Sequence, residues 1–339
     1  MQAHRIWLAA LLVITIQLPV EARSPSFDQA TTWLNSQPLT VDGLRGKVVL
    51  VDFWTYTCIN WRRTMPYLRA WGAKYQDQGL VIIGVHTPEF SFEKDLDNVR
   101  RQAQEQNLSY PIAVDSDYGI WRAFDNQYWP ALYFVDAQGR VRHHVFGEGD
   151  YEQSERVIRQ LLAEAGQRVP DGDRVRVEAH GAEVDADWKN LRSPETYVGY
   201  GRGERFASPG REQYDRARVY SLPRELRLNE WALSGDWTMK REGTVSNKAN
   251  GKVTYRFHAR DVHLVMGPAT RGTPVRFRVL IDGQPPGASH GTDIDEQGRG
   301  TLDGPRMYQL IRQPAPIADR NVEIEFLDAG AELFSFTFG

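Results

Sequence analysis

The 339-residue chain has one cysteine, Cys58. A single cysteine excludes an internal disulfide and any two-cysteine active site within the chain, so Cys58 is either free or paired with another molecule. Lysine and arginine number 41 against 44 aspartates and glutamates, for a net charge of −3. No basic excess is present to hold a phosphate backbone, so nucleic acid is not an expected partner. Long apolar runs are missing after the N-terminus, and so are internal repeats and low-complexity tracts.

The exception is "IWLAALLVITIQLPV" at 6–20, which follows His4 and Arg5 and precedes "VEA" at 20–22. A weakly basic start, a short apolar core and small or β-branched residues before Arg23 predict a signal peptide over 1–22. The run is short for a membrane span. Export, to a periplasm or its equivalent, is expected, with membrane contact only if the segment stays uncleaved as an anchor. Secreted chains are usually rich in disulfides, which makes the lone Cys58 the more unusual.

From 23 to 167 the pattern alternates. "KVVLVDFW" (47–54) and "LVIIGVH" (80–86) are continuous apolar runs, as in strands buried on both faces. Met65, Leu68, Trp71 and Tyr75 recur at helical steps, and 92–107 and 153–166 read as further helices. "YPIAV" (110–114), "ALYFVD" (131–136) and "RVRHHVFG" (140–147) read as strands, the last two joined by the turn "DAQG". "FDQATTWLN" (27–35) reads as a short helix. Residues 168–193 are rich in glycine, aspartate and charge and read as a linker. From 194 to 339 short alternating strands such as "VRFRVLID" (275–282) predict an all-β sandwich of jelly-roll type.

Cys58 stands between a buried strand and a helix, in "DFWTYTCINWRRTMPYL" (52–68). Backbone N–H groups at a helix start favour a thiolate, and Arg62 and Arg63 add positive charge one turn on, so a thiol pKa below the free value of about 8.5 is expected. An inert buried cysteine is the alternative. The place three residues on, where a dithiol site has its second cysteine, is Trp61. "YWPALYFVD" (128–136) puts Pro130 before a strand, with a cis Trp129–Pro130 bond or an ordinary strand start as the options. Thr55, three before Cys58, gives an incomplete peroxidase pattern with Val51 at the proline place. His143 and His144 would point to opposite faces of one strand. His86 and Glu89 follow the second strand, at a sheet end where partners bind. "DIDEQGRG" (293–300) begins like a calcium loop but has Gly304 at its twelfth place, so a hairpin turn is expected and no metal. Trp231 and Trp237, with Tyr197 and Tyr200, are a candidate sugar-stacking platform, with core packing as the alternative.

These motifs resemble the thioredoxin superfamily in "VVLVDFWTYTCINW", "YWPALYFVDAQGRV" and the closing helix. "SPETYVGYGRGERFAS" (193–208), "LNEWALSGDWT" (228–238), "YRFHARDVHLVMGP" (255–268) and "VRFRVLIDGQPPGASHG" (275–291) are similar to the extracytoplasmic part of DipZ-type proteins. That family couples a membrane electron-supply domain to a thioredoxin-like domain and a sandwich similar to carbohydrate-binding modules. Here only a signal-like segment is expected before the fold. The resemblance implies that Cys58 matches the attacking cysteine and Pro130 the cis-proline, with Trp61 in place of the resolving thiol.

The expected protein is therefore an α/β thioredoxin-like domain followed by a β-sandwich. It would act as a monothiol through Cys58 on protein disulfides or low-molecular-weight thiols, with Trp54, Trp61, Arg62, Trp129 and Pro130 shaping the site. No cofactor is expected. Two alternatives remain open: a redox-inactive scaffold whose sandwich binds glycan or protein, and a single-cysteine peroxidase.

Overall fold

The computed structural model describes residues 26–169, 172 and 174–339; the signal-like segment 1–22 lies outside the described residues. The first half builds a six-stranded sheet from β1 (Thr32–Leu34), β2 (Val48–Trp54), β3 (Leu80–His86), β4 (Ile112–Val114), β5 (Ala131–Val135) and β6 (Val141–Phe146), in the order β1-β4-β3-β2-β5-β6. The central β2 is buried at every position, as its unbroken apolar run requires. It lies parallel to β3 and antiparallel to β5.

Four helices cover the sheet: α1 (Ile59–Tyr75), α2 (Leu96–Glu105), α3 (Gly119–Ala123) and α4 (Tyr151–Glu164). Val48, Leu50 and Phe134 pack with Leu68 and Trp71 of α1 and Ile158 and Leu162 of α4. Val49, Val51, Phe53 and Val85 pack on the other face with Ile120 and Phe124. The 27–35 stretch differs from its helix-like reading: Thr32, Trp33 and Leu34 pair with Val114, Ala113 and Ile112. The open edge of β4 supplies backbone partners that a short isolated helix could not match.

The second half is strand-built: β7 (Thr196–Tyr197), β8 (Ala217–Tyr220), β9 (Trp231–Met239), β10 (Thr244–Ser246), β11 (Gly251–Phe257), β12 (Asp261–Pro268), β13 (Val275–Ile281), β14 (Arg299–Leu302), β15 (Arg306–Arg312), β16 (Arg320–Phe326) and β17 (Ala331–Phe338). The order is β14-β13-β16-β11-β9-β10-β17-β12-β15. Strand β9 belongs to both layers. Trp231–Ser234 pair with β11, and Trp237–Met239 pair with β10. The change falls at Gly235, whose φ of 97° suits glycine and whose backbone approaches Gly251. Between the layers, Val253, Tyr255, Ile324 and Phe326 meet Leu264, Leu310, Leu333 and Phe336. This is the expected sandwich, with β9 as its hinge edge.

The described residues of 168–193 include a turn of 3-10 helix at Gly181–Glu183 and are bound to both halves. Arg69 of α1 pairs with Glu183 at 2.5 Å, and Arg312 of β15 donates to the Gly181 carbonyl at 2.9 Å. The two halves also meet directly. Ile59 and Phe90 pack with Val265, Met307 and Phe334, and the Phe92 and Phe334 rings lie 4.6 Å apart. Arg63 donates to Glu148 at 2.9 Å and to the Phe338 carbonyl at 3.2 Å. Phe334→Ala is expected to lower stability to urea by about 3 kcal/mol, the scale for deleting a buried ring. It should also speed alkylation of Cys58 by loosening the second half over α1. An unchanged alkylation rate in a destabilised variant would separate the interface from the thiol.

Candidate active site

Cys58 is the N-cap of α1, in extended backbone (φ −75°, ψ 115°) between the end of β2 and the first helical turn. Its side chain is half-buried. It opens into a cleft of about 520 Å³ whose walls come from both halves and from the segment between them. Trp129 and Tyr128 line it from the loop before β5, Glu89 from the loop after β3, and Trp188, Arg192 and Glu195 from the segment that enters the sandwich. Tyr197, Arg202 and Phe338 also line it. The Trp129–Pro130 bond is cis, Pro130 is buried behind Trp129, and the Trp129 Nε1–H donates to the Thr87 carbonyl at 3.0 Å.

The expected acidic thiol is not what this geometry produces. Burial pushes the Cys58 thiol well above its ordinary value, and the Glu89 and Glu195 carboxylates push it the same way. The N–H groups of Trp61 and Asn60 pull it down without offsetting those effects. Arg62 contributes nothing here: it does not line the cleft, and the charges acting on it are those of Glu183, Asp293, Arg306 and Glu105. Arg63 does line the cleft, but its guanidinium is taken up by Glu148 and Phe338. The thiol therefore rests protonated.

Trp61 lies beneath the thiol's helix turn, not across the cleft. It is fully buried, its ring is stacked on Trp54 at 4.3 Å, and its Nε1–H donates to Asp52 Oδ2 at 3.0 Å. Gly84 leaves room for this layer: a Cβ there would stand 2.8 Å from Trp54 Nε1 and from the Tyr110 ring. Burial raises the Asp52 carboxyl to about 7 despite that hydrogen bond. His86, edge-on to Trp54, is held neutral by burial, with its pKa lowered to about 3.

The chain reading missed several residues. Glu93, buried and raised by burial to about 7, accepts from Thr57 Oγ1 at 2.7 Å and from the N–H groups of Glu89 and Phe90. It fixes the loop that aims Glu89 into the cleft. Glu89 in turn accepts from the Tyr197 hydroxyl at 2.6 Å and from Arg202 at 2.9 Å. Glu195, reached by water from the cleft, has its carboxyl pushed up to about 7 by the protein walls around it and by Glu89. In the sequence, Glu89 is marked by its place at the sheet end and Glu195, Tyr197 and Arg202 by the "SPETYVGYGRG" motif, whereas Glu93 carries no signal.

Trp231 and Trp237 form no ligand platform. They are 1% and 0% exposed, their rings fill the sandwich core, and their N–H groups go to the Glu204 and Ser234 carbonyls. Asp293 pairs with Arg306, and Asp295 accepts from the Arg299 N–H, which makes 293–300 a structured turn. His144 is exposed and His143 half-buried on β6.

A parallel β2–β3–β4 core flanked by antiparallel strands, with a thiol at the strand–helix junction and a cis-proline before β5, defines the thioredoxin-like class. The model described as the AhpC/TSA family matches residues 20–144, and that described as the thioredoxin like C-terminal domain matches 193–339. The chain is 36% identical over 327 residues to Protein DipZ of Mycobacterium bovis, covering 95% of this chain and 44% of that protein. Thiol-disulfide oxidoreductase YkuV of Bacillus subtilis is 32% identical over 140 residues, 41% of this chain and 94% of YkuV. A solved structure described as a thioredoxin-like protein in the oxidized form aligns with 42% of this chain and 98% of its own at 33% identity, with a TM-score of 0.38. The chain belongs to the thioredoxin-like family, with DipZ-type sequence across both halves, and spans less than half the length of DipZ.

Two expectations follow. Trp61→Cys removes a fully buried indole and should cost about 3–5 kcal/mol in urea unfolding; a cost under about 1 kcal/mol would contradict the packing described. Asp52 is shifted from 3.8 to about 7. Between those values the folded protein keeps a proton that the unfolded chain has released, so this group's contribution to stability falls as pH rises. Asp52→Asn should therefore gain stability relative to the parent from about pH 4 to about pH 7; parallel pH profiles would overturn the assignment.

Proposed function

We propose that this protein is an exported oxidoreductase that carries out thiol–disulfide exchange through the single thiol of Cys58. The observation that carries this reading is Cys58 at the head of α1, open to a cleft it shares with Trp129 of the cis-proline loop. The similarity to YkuV, a thiol-disulfide oxidoreductase by name, supports the redox class. The apolar segment at 6–20 supports export to the periplasm or its equivalent. No helix among the described residues is long and apolar enough to cross a membrane.

In the exchange, Cys58 loses its proton and attacks one sulfur of a disulfide. A bond forms to that sulfur, the substrate S–S bond breaks, and the departing thiolate takes up a proton. A dithiol enzyme would resolve the mixed disulfide with its second cysteine. Trp61 cannot, so a thiol from solution or from a partner protein attacks the mixed disulfide and restores Cys58.

A second reading, ligand binding without turnover, is favoured by the protonated resting thiol and the buried Trp61. Peroxidase chemistry has less support, since no arginine is among the charges acting on Cys58. Incubation of the full chain with a small disulfide, followed by intact mass, separates the first two. Exchange predicts an adduct whose formation speeds up as pH rises toward 9 and which an added thiol removes. No adduct at pH 9 would leave binding as the function.

A further inference from the structure

Most charges in the Cys58 cleft already have partners. Glu89 is taken by Tyr197 and Arg202, and Glu148 by Arg63. Two lining residues, Glu195 and Arg192, form no salt bridge among the described residues, although Arg202 and the Tyr197 hydroxyl act on the Glu195 carboxyl. They are of opposite sign, three residues apart in the segment that enters the sandwich, and both are exposed to water. Trp188, 61% exposed, and Trp129 give the same cleft aromatic surface, and divalent sulfur packs well against aromatic rings. The volume, about 520 Å³, falls in the range of small-molecule sites, about 300–1,000 Å³. Cys58 lies half-buried inside it, which suits a small disulfide better than one held on a folded protein surface.

Resting on the exchange reading above, we propose that the cleft selects zwitterionic low-molecular-weight disulfides of the amino-acid type, with an ammonium group on Glu195 and a carboxylate on Arg192. Burial is the chief cause of the raised thiol, and an ammonium beside Glu195 offsets one of the two carboxylates that add to it, so binding the substrate favours the thiolate that attacks it. The proton lost by Cys58 leaves through water. Cys58 sulfur bonds to one substrate sulfur, the substrate S–S bond breaks, and the released amino-acid thiolate is protonated. A second molecule of the same class of thiol then attacks the mixed disulfide, giving back the Cys58 thiol and a new small disulfide. One small disulfide and one small thiol enter, one thiol and one disulfide leave, Cys58 is regenerated, and no other oxidant or reductant is needed.

The test is a charge series on the full chain, with rates of Cys58 adduct formation read by intact mass. The probes are cystine (zwitterionic), cystamine (cationic), dithiodipropionate (anionic) and hydroxyethyl disulfide (neutral), each rate being divided by that of a free model thiol. Cystine should exceed hydroxyethyl disulfide by about tenfold, the combined scale of two partly exposed ion pairs. Most of that preference should vanish at about 1 M salt. Glu195→Gln should erase the advantage of cystamine, and Arg192→Ala should erase the advantage of cystine over cystamine. Each variant's rates are divided by its own hydroxyethyl disulfide rate, since Glu195→Gln also removes a carboxylate that raises the thiol and should speed every probe. Equal normalised rates across the series, or faster reaction with the disulfides of folded insulin than with cystine, would overturn the selection while leaving exchange intact. No adduct with any probe would overturn the exchange reading, and this inference with it.

Discussion

The Arg63 guanidinium, on a side chain only 2% exposed, joins the first turn of α1 to Glu148 and to the carbonyl of Phe338 at the end of the last strand. Desolvation offsets much of the attraction in such a buried pair, so its chief effect is positional: it fixes where the sandwich sits over the helix that starts at Cys58. Glu89 repeats the arrangement from the other side, held by Tyr197 and Arg202. The apolar contact of Phe90 and Phe92 with Phe334 supplies the burial. An open thioredoxin-like face thereby becomes a walled cleft.

That enclosure reverses the electrostatics expected of the motif. At an open helix N-terminus the backbone N–H groups would dominate and favour a thiolate. Here protein walls and two carboxylates outweigh them. Trp61 adds a second constraint. Its indole is committed to Trp54 and Asp52 in the layer beneath, which makes position 61 part of the core. On the exchange reading proposed above, a second thiol from outside completes the chemistry at this site.

What could be read from the chain was local. The apolar run at 47–54, the cysteine after it and the helical steps of Met65, Leu68, Trp71 and Tyr75 are signals within a few residues of one another, and α1 and β2 follow them. Pro130 stood out for the same reason. The cleft was not legible, because one of its walls comes from the joining segment and the sandwich, far along the chain from Cys58. Arg62 and Arg63 are adjacent to the thiol in sequence, but Arg62 does not line the cleft and the Arg63 guanidinium is held by Glu148 and the Phe338 carbonyl. Trp231 and Trp237 alternate with polar neighbours in a pattern equally compatible with a wet or a buried face, and the layer change of β9 at Gly235 puts both inside. The segment 168–193 has a linker's composition, yet its backbone carbonyls and Glu183 are bound by arginines of both halves.

The central claim is that closure of the sandwich over α1 keeps Cys58 protonated at rest. It is tested most directly by following thiolate ultraviolet absorbance of the full chain against pH, with Cys58→Ser as the blank. The account predicts no thiolate at neutral pH and ionisation only above the free-thiol value of about 8.5. A thiol half-ionised at or below pH 7 would contradict it.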